Sequence, residues 1–216
     1  MAKRFSAPPW RVLLPISPLL VVLAVYLIAC LTLGGGTRAG FISDVALQIL
    51  AAPLLLWWGW RLIDVPASAS RKRALAALVV CLGAVGLPLA HLMPLPPSVW
   101  MNLPGRADFA SNLAAARLEA TWLPLSVVPR ATWLSGLSLL PPMAVFLGAI
   151  QLSYAERRRF SLVLLTTGFL SVGLGLLQVA QGPTSALRFF AFTNASEAVG
   201  FFANRNHYAA LFIACS

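Results

Sequence analysis

Long apolar runs dominate this sequence and limit what it can fold into. Five such runs alternate with short segments that hold most of the charged side chains. Each run approaches the length of about 20 consecutive apolar residues that a helix needs to cross a bilayer. The runs cover roughly residues 13–33, 43–63, 74–93, 132–152 and 160–180, and a sixth begins near Tyr208. We therefore predict an all-α, polytopic integral membrane protein with five complete transmembrane helices and the start of a sixth.

The composition is that of a membrane protein and not of a nucleic-acid-binding domain. Hydrophobic residues make up 59% of the chain and charged residues 10%, whereas soluble domains are about half apolar and about a quarter charged. The formal net charge of +10 would by itself suit a nucleic-acid partner. The basic residues, however, form short clusters between the apolar runs instead of one basic stripe. We expect the membrane as a partner and no nucleic acid.

Signatures of soluble enzymes and metalloproteins are missing from the sequence. It contains no glycine-rich phosphate loop, no His-Glu-x-x-His and no Gly-x-Ser-x-Gly. The cysteines Cys30, Cys81 and Cys215 all lie inside apolar runs, where they are interpreted as small packing residues. His91, near the end of the third run, is interpreted as an interfacial side chain. We expect no metal site and no cofactor.

The distribution of Lys and Arg predicts the orientation in the membrane. With a cytoplasmic N-terminus, ten of the 16 basic side chains fall on the cytoplasmic side, and cytoplasmic loops carry the excess of Lys and Arg. We expect a single membrane domain over residues 1–216, with its N-terminus in the cytoplasm. The loop 98–131 and the interfacial segment 181–206 then face the periplasm. Because the sixth run has only about half the length of a span, we also expect the N-terminal portion of a longer protein or a truncated gene product.

Three local patterns predict how the later helices are shaped. Pro141 and Pro142 interrupt the fourth run and predict a kink there. The basic residues 155–159 predict a tight turn between the fourth and fifth runs. Ser171 and Gly175, four residues apart in the fifth run, form a small-xxx-small pair that would let another helix approach closely.

Polar groups are concentrated where the sixth apolar run opens, within Gly200–Phe212. Two amides, a guanidinium and an imidazole follow one another from Asn204 to His207. Upstream, Arg188 is followed by Phe189, Phe190 and Phe192, and such aromatic residues are typical of a segment at the membrane interface.

Two interpretations of these polar side chains stay open on physical grounds. In the first, Arg188 and Arg205 bind a phosphate or diphosphate bidentately, Asn204 and Asn206 bind sugar hydroxyls or fix an arginine, and His207 exchanges a proton near neutral pH. In the second, Asn204 or Asn206 caps the sixth helix, while Arg205 and His207 lie at the headgroups.

Two stretches of the chain resemble a known family. The run Gly-Phe-Phe-Ala-Asn-Arg-Asn-His-Tyr-Ala-Ala-Leu at 200–211, which opens a membrane helix after an outer loop, is similar to a signature of the O-antigen ligase and O-antigen polymerase superfamily. The stretch Trp122–Thr132, ahead of the fourth run, is similar to another recurrent stretch of these proteins. Tyr208 stands where phenylalanine is commoner in the family.

The resemblance implies the N-terminal portion of an inner-membrane glycosyltransferase that works on the periplasmic face without a metal. Such enzymes transfer or polymerise glycan from an undecaprenyl-diphosphate-linked donor to lipid A-core, a lipid-linked repeat or another glycan acceptor. Carried onto this chain, Arg188 and Arg205 would bind the donor diphosphate, Asn204 and Asn206 would orient the donor, and His207 is the candidate catalytic residue. The family's large periplasmic loop would follow Ser216, so we expect the 216-residue chain to be inactive alone.

Two other functions are compatible with the sequence. A transporter or exporter subunit also contains broken helices and intramembrane arginines, but no internal repeat is visible between the first three runs and those that follow. A non-catalytic membrane scaffold would tolerate substitutions throughout Gly200–Phe212.

Overall fold

The computed structural model describes residues 16–36, 42–63, 69–118 and 121–215. Within these ranges the chain is mostly helical, as predicted. The helices are α1 Pro18–Leu33, α2 Ile42–Ile63, α3 Ala69–Leu92, α4 Pro97–Trp100, α5 Ala107–Ala115, α6 Pro129–Ser138, α7 Leu140–Ala149, α8 Tyr154–Gln181 and α9 Arg205–Cys215. Two short strands, β1 Pro94–Leu95 and β2 Leu123–Pro124, pair antiparallel with Pro94 opposite Pro124.

Four stretches of helix in the described ranges are long and apolar enough to cross a membrane. They are Ile42–Leu62, Ala74–Leu92, Pro129–Ala149, which joins α6 and α7, and Tyr154–Gln181. Each lies within a few residues of an apolar run recognised in the sequence. The prediction of a polytopic, helical membrane protein is therefore confirmed for four spans.

The fifth complete span is not confirmed. Residues 13–15 of the first apolar run lie outside the described residues, and α1 is a shorter apolar helix of 16 residues. At 1.5 Å per residue, 16 residues reach about 24 Å, less than the hydrocarbon core of about 30 Å. Pro18 occupies the first helical position, and Ser17 caps α1 by accepting a hydrogen bond from the Leu20 backbone N–H at 3.2 Å.

The kink predicted at Pro141 and Pro142 is present as a break between α6 and α7. The two helices meet at Leu139, and the prolines lie in the first turn of α7. Proline lacks the N–H that would bond the carbonyl four residues earlier. The break therefore comes just before the proline pair. The two missing N–H groups then fall in the first turn of α7, where an N–H has no partner within the helix.

The tight turn predicted for residues 155–159 is wrong, because these residues form the opening turns of α8. Ser153 and Glu156 make a capping box: the Ser153 Oγ accepts from the Glu156 N–H at 3.4 Å, and the Glu156 carboxylate accepts from the Ser153 N–H at 2.9 Å. This reciprocal pair satisfies two of the free N–H groups at a helix start. The Ser17 hydroxyl donates to Glu156 as well, so the beginnings of α1 and α8 lie together.

The core is centred on α7. Helix α2 packs on α7, α1 packs on α7 and α8, and α3 packs on α6. The fully buried side chains Leu23 and Trp58 lie against Gly148, where an added Cβ would come within 2.7 Å of Leu23 and 3.2 Å of Trp58. Gly148 therefore allows α1 and α2 to close over α7.

In the connection from α3 to α6, a buried arginine forms hydrogen bonds to the backbone. Arg106 is 8% exposed, and its Nη2 donates to the carbonyls of Pro124 and Leu125 at 2.9 and 2.8 Å. The Trp100 indole donates to the Thr121 carbonyl at 3.0 Å. The candidate spans end at Leu92 and resume at Pro129, and the position of the loop 98–131 on the periplasmic side stays a prediction.

Candidate functional site

The segment from Gly182 to Asn204, called the 182–204 segment, joins α8 to α9. It lies within the predicted segment 181–206, because α8 ends at Gln181 and α9 begins at Arg205; its place at the membrane interface stays a prediction. Gly182, with φ 83°, follows the last residue of α8, and Gly200, with φ 56°, lies near the other end of the segment. Both values lie in the left-handed region that favours glycine. The segment folds back over α8 and carries the predicted residues Arg188 and Asn204.

Gln178, in the last turns of α8, forms hydrogen bonds to the backbone of the 182–204 segment. Its side chain is fully buried. The Nε2 donates to the carbonyls of Leu187 and Gly200 at 2.9 and 2.8 Å, and the Oε1 accepts from the N–H groups of Val199 and Gly200 at 3.2 and 2.9 Å. All the usual hydrogen bonds of a carboxamide, two donated and two accepted, are therefore made to the backbone.

Small residues on α8 bring the segment and α9 close. The Ser171 Oγ accepts from the Phe201 N–H at 3.3 Å, and a Cβ on Gly200 would lie 2.1 Å from that Oγ. One turn further along α8, a Cβ on Gly175 would lie 2.6 Å from the Tyr208 hydroxyl. The close approach predicted from Ser171 and Gly175 is confirmed, and α9 is the approaching helix.

The loop after α1 packs against the same segment. The Ala203 N–H donates to the Gly35 carbonyl at 2.9 Å. A Cβ on Gly35 would lie 2.6 Å from the Phe201 carbonyl oxygen and 2.9 Å from the Phe202 Cα. The backbone of the 182–204 segment is thus held between α8 and the α1–α2 connection.

Arg188 is anchored at one nitrogen and unpaired along its other edge. Its Nη1 donates to the carbonyls of Asn194 and Glu197, both at 2.9 Å. Its Nε and Nη2 are buried and have no hydrogen-bond partner within the ranges that the structure describes. Nε–H and Nη2–H lie on the same edge of a guanidinium, the edge that bonds both oxygens of one anionic group in bidentate pairs.

Arg205 forms an ion pair with Glu197. The Nη1 of Arg205 contacts the Glu197 Oε1, with the two side chains 60% and 35% exposed. Since the Glu197 carbonyl also accepts from Arg188, Glu197 connects the two arginines that are predicted to bind the diphosphate. The three side chains together leave one positive charge in excess.

Asparagines cap α9 at its first turn. The Asn204 Oδ1 accepts from the Asn206 N–H at 2.8 Å, as an N-cap side chain does. The Asn194 Oδ1 accepts from the Arg205 N–H at 3.1 Å. The capping interpretation that the sequence left open therefore holds for Asn204, whose side-chain oxygen is engaged by the helix.

His207 and Asn206 lie exposed on the first turn of α9. The His207 ring makes an edge contact with Phe202, with ring centroids 6.4 Å apart. At 3.6 residues per turn, His207 projects about 200° around the helix from Arg205. The structure thus groups Arg188 and Arg205 around Glu197 and Asn194, with Asn204 at the start of α9, while His207 lies on a different face of that helix.

Sequence reasoning missed Gln178, Asn194 and Glu197 as residues that build the site. Gln178 carried a usable signal, because a carboxamide in an apolar run must find partners inside the protein. The partners themselves, nine to 22 residues further along the chain, leave no mark in the local pattern. Glu197 was visible as the acidic residue between two arginines, but its pairing depends on how the segment folds back.

A large apolar cavity lies beside the segment, between α1, α2 and the broken α6–α7 span. Its volume is about 790 Å³. Gly34 and Gly36 line it, and they flank Gly35, which contacts the 182–204 segment. Asp44 and Gln48, one turn apart on α2, are polar groups in a mostly aliphatic wall. The cavity has the size and lining of a site for a lipophilic molecule.

No cluster of three or more His, Cys, Asp or Glu that could hold a metal ion occurs among the residues searched, which are those the structure describes. The expectation of a metal-independent site stays a prediction. Comparison of the chain with protein-family models, with curated proteins and with solved structures found no match in any of the three. Membership of the O-antigen ligase and polymerase superfamily also stays a prediction, which rests on the two sequence stretches alone.

Proposed function

We propose that this chain contributes the donor-binding part of an inner-membrane glycosyltransferase of the O-antigen ligase and polymerase kind. In this proposal the N-terminus lies in the cytoplasm and the 182–204 segment lies at the periplasmic interface. The donor is a glycan linked to undecaprenyl diphosphate. Its diphosphate binds between Arg188 and Arg205, and the acceptor is lipid A-core, a lipid-linked repeat or another glycan.

The unpaired edge of Arg188 is the observation that carries the proposal. A buried N–H group without an acceptor costs about 1–3 kcal/mol, and more when it is charged. Two such groups on one guanidinium edge match the spacing of two phosphate oxygens. The two carbonyls that hold Nη1 orient this edge in advance, so little side-chain entropy is lost when an anion binds.

Arg205 supplies the second positive charge, and its guanidinium can leave Glu197 to bind a ligand. It pairs with Glu197 through one nitrogen and is 60% exposed. Exposed ion pairs are worth about 0–1 kcal/mol, so a diphosphate can compete with the carboxylate for the guanidinium. When the phosphate–sugar bond breaks, the charge that develops on the leaving diphosphate is stabilised by both arginines.

The neighbouring cavity supports a lipid-linked donor. Its aliphatic wall suits the isoprenoid units nearest the diphosphate, and Gly34 and Gly36 place its rim next to the segment that bears the arginines. Asp44, an acidic residue in that wall, makes the cavity a poor place for the diphosphate itself. The charged and apolar parts of the donor thus have separate, adjacent places.

Complementation tests this function in cells. A strain that lacks the gene receives the natural full-length gene, either unchanged or carrying Arg188→Lys, Arg205→Ala or His207→Ala, and its surface glycan is measured. Arg188→Lys keeps the charge and removes the bidentate edge, so we expect surface glycan to fall and the lipid-linked donor to accumulate. Arg130→Lys, an exposed arginine on α6, is the matched control and is expected to complement fully.

The pattern of losses distinguishes the alternatives. Undiminished surface glycan with all three variants would remove these residues from the active site and favour a scaffold. A transporter would show loss of surface glycan together with donor retained on the cytoplasmic side of the membrane. A transferase leaves the unused donor on the periplasmic side.

A further inference from the structure

We propose that Gln178 is a positioning residue for the diphosphate site: from inside α8 it sets the position of Arg188 relative to Arg205. The inference rests on the proposed function, since it matters only if the two arginines bind one ligand. It adds to that function a residue that touches neither the substrate nor the arginines.

Two parts of the 182–204 segment, at Leu187 and at Gly200, meet at the Gln178 carboxamide. At one end Gln178 bonds the carbonyl of Leu187, the residue before Arg188. At the other it bonds both backbone groups of Gly200 and the N–H of Val199, four and five residues before Asn204. A single rigid planar group thus fixes both ends of the stretch that separates the arginines.

A few covalent and hydrogen-bonded neighbours connect the backbone that Gln178 holds to each guanidinium. On one side Leu187 leads directly to Arg188, whose Nη1 bonds the Asn194 and Glu197 carbonyls. On the other side Gly200 leads to Asn204, which caps α9 and so places Arg205. Bidentate recognition of a phosphate depends on direction as well as charge. A shift of either end therefore weakens binding even when both arginines are present.

Gln151, which is partly buried, provides a control for the loss of a glutamine that bonds the backbone. It lies at the opposite end of the bundle, where its Nε2 donates to the carbonyls of Leu147 and Trp58 at 2.9 and 3.3 Å. Its Oε1 accepts from the Arg61 Nε at 3.4 Å. Gln151→Met therefore removes the same kind of side chain–backbone hydrogen bonds without any contact to the 182–204 segment.

The experiment measures binding of inorganic pyrophosphate by isothermal titration calorimetry. The full chain is reconstituted in nanodiscs, at a temperature where every variant remains folded, and the unfolding temperature of each variant is recorded. We expect Gln178→Met to weaken pyrophosphate binding at least about tenfold, while Gln151→Met lowers the unfolding temperature comparably and leaves the dissociation constant within about twofold of wild type. Unchanged affinity in Gln178→Met, or equal losses of affinity in both variants, would overturn the inference.

Further variants keep this result separate from that of the proposed function. If wild type binds no pyrophosphate, or Arg188→Ala binds it as well as wild type, the diphosphate site itself is wrong and the role of Gln178 goes with it. If Arg188→Ala abolishes binding while Arg130→Ala does not, the diphosphate site stands and Gln178→Met alone decides the inference. Should Gln178→Met not fold, Gln178→Glu, compared with Gln151→Glu, keeps the oxygen that accepts from Val199 and Gly200 and loses the donated bonds.

Discussion

Glu197 accepts a hydrogen bond from Arg188 through its backbone and forms an ion pair with Arg205 through its side chain. The Arg188 Nη1 lies 2.9 Å from the Glu197 carbonyl oxygen, and the Glu197 Oε1 contacts the Arg205 Nη1. One residue thus connects the start of the 182–204 segment with the start of α9. The connection explains how two arginines 17 positions apart in the sequence come to contact the same residue.

Replacement of Glu197 by Gln is expected to tighten binding of inorganic pyrophosphate. The Glu197 carboxylate competes with the ligand for Arg205, and an exposed pair of this kind is worth up to about 1 kcal/mol, or about fivefold in affinity. Titration calorimetry checks the change. Asp108→Asn, which removes an exposed carboxylate on α5, is the control for net charge alone and is expected to leave the affinity unchanged. Weaker binding by Glu197→Gln would mean that Glu197 supports Arg205 in the bound state instead of competing with the ligand.

Replacement of Gly175 by Ala is expected to destabilise the protein and loosen α9. The new methyl group would lie 2.6 Å from the Tyr208 hydroxyl and 3.2 Å from the Ala198 Cβ, and overpacking of this kind costs about 1–3 kcal/mol. Gly173→Ala is two residues away on α8 and meets nothing within 4 Å, so it is expected to be neutral or to stabilise by up to about 1 kcal/mol. Thermal unfolding in detergent measures both. Equal effects of the two substitutions would contradict the close packing of α8 on α9.

Replacement of Asn204 by Ala is expected to lower the free energy of unfolding by about 1 kcal/mol, because it removes the N-cap of α9. Asn206, two positions later, has an exposed side chain. Its side-chain amide makes no hydrogen bond within the described ranges. Asn206→Ala is therefore expected to leave the free energy of unfolding unchanged. The paired unfolding curves separate the capping role from a ligand-binding role. A similar loss of stability in both variants would contradict the assignment of Asn204 as the cap.

The helices that span the bundle were predictable from the sequence because their determinants are local. Apolar runs placed α2, α3 and α8 to within a few residues, and the proline pair located the break between α6 and α7. The basic cluster 155–159 was misinterpreted as a turn, because the Ser153–Glu156 capping box that extends α8 backwards outweighs the charge pattern. This capping box is itself a sequence pattern and was available to prediction.

The candidate site was predictable only in part. Arg188, Asn204, Arg205 and Asn206 were expected to bind one ligand. The structure brings Arg188 and Arg205 together at Glu197, whereas the Asn206 side chain lies exposed. Which atoms remain available depends on non-local bonds: Arg188 keeps one edge because two distant carbonyls take only its Nη1, and Asn204 is partly used as a cap. The place of His207 on another face of α9 follows from where the helix begins, which the sequence located only approximately.

In the function that we propose, glycan transfer from an undecaprenyl-diphosphate-linked donor depends most directly on the unpaired edge of Arg188. The decisive measurement is the initial rate of transfer in membranes that contain the natural full-length protein with Arg188→Lys, beside wild type and Arg130→Lys. Loss of a preorganised donor to a developing charge costs about a hundredfold to a thousandfold in rate, and we expect a loss of that size for Arg188→Lys and none for Arg130→Lys. A wild-type rate in Arg188→Lys membranes would contradict the role of Arg188 in binding the diphosphate.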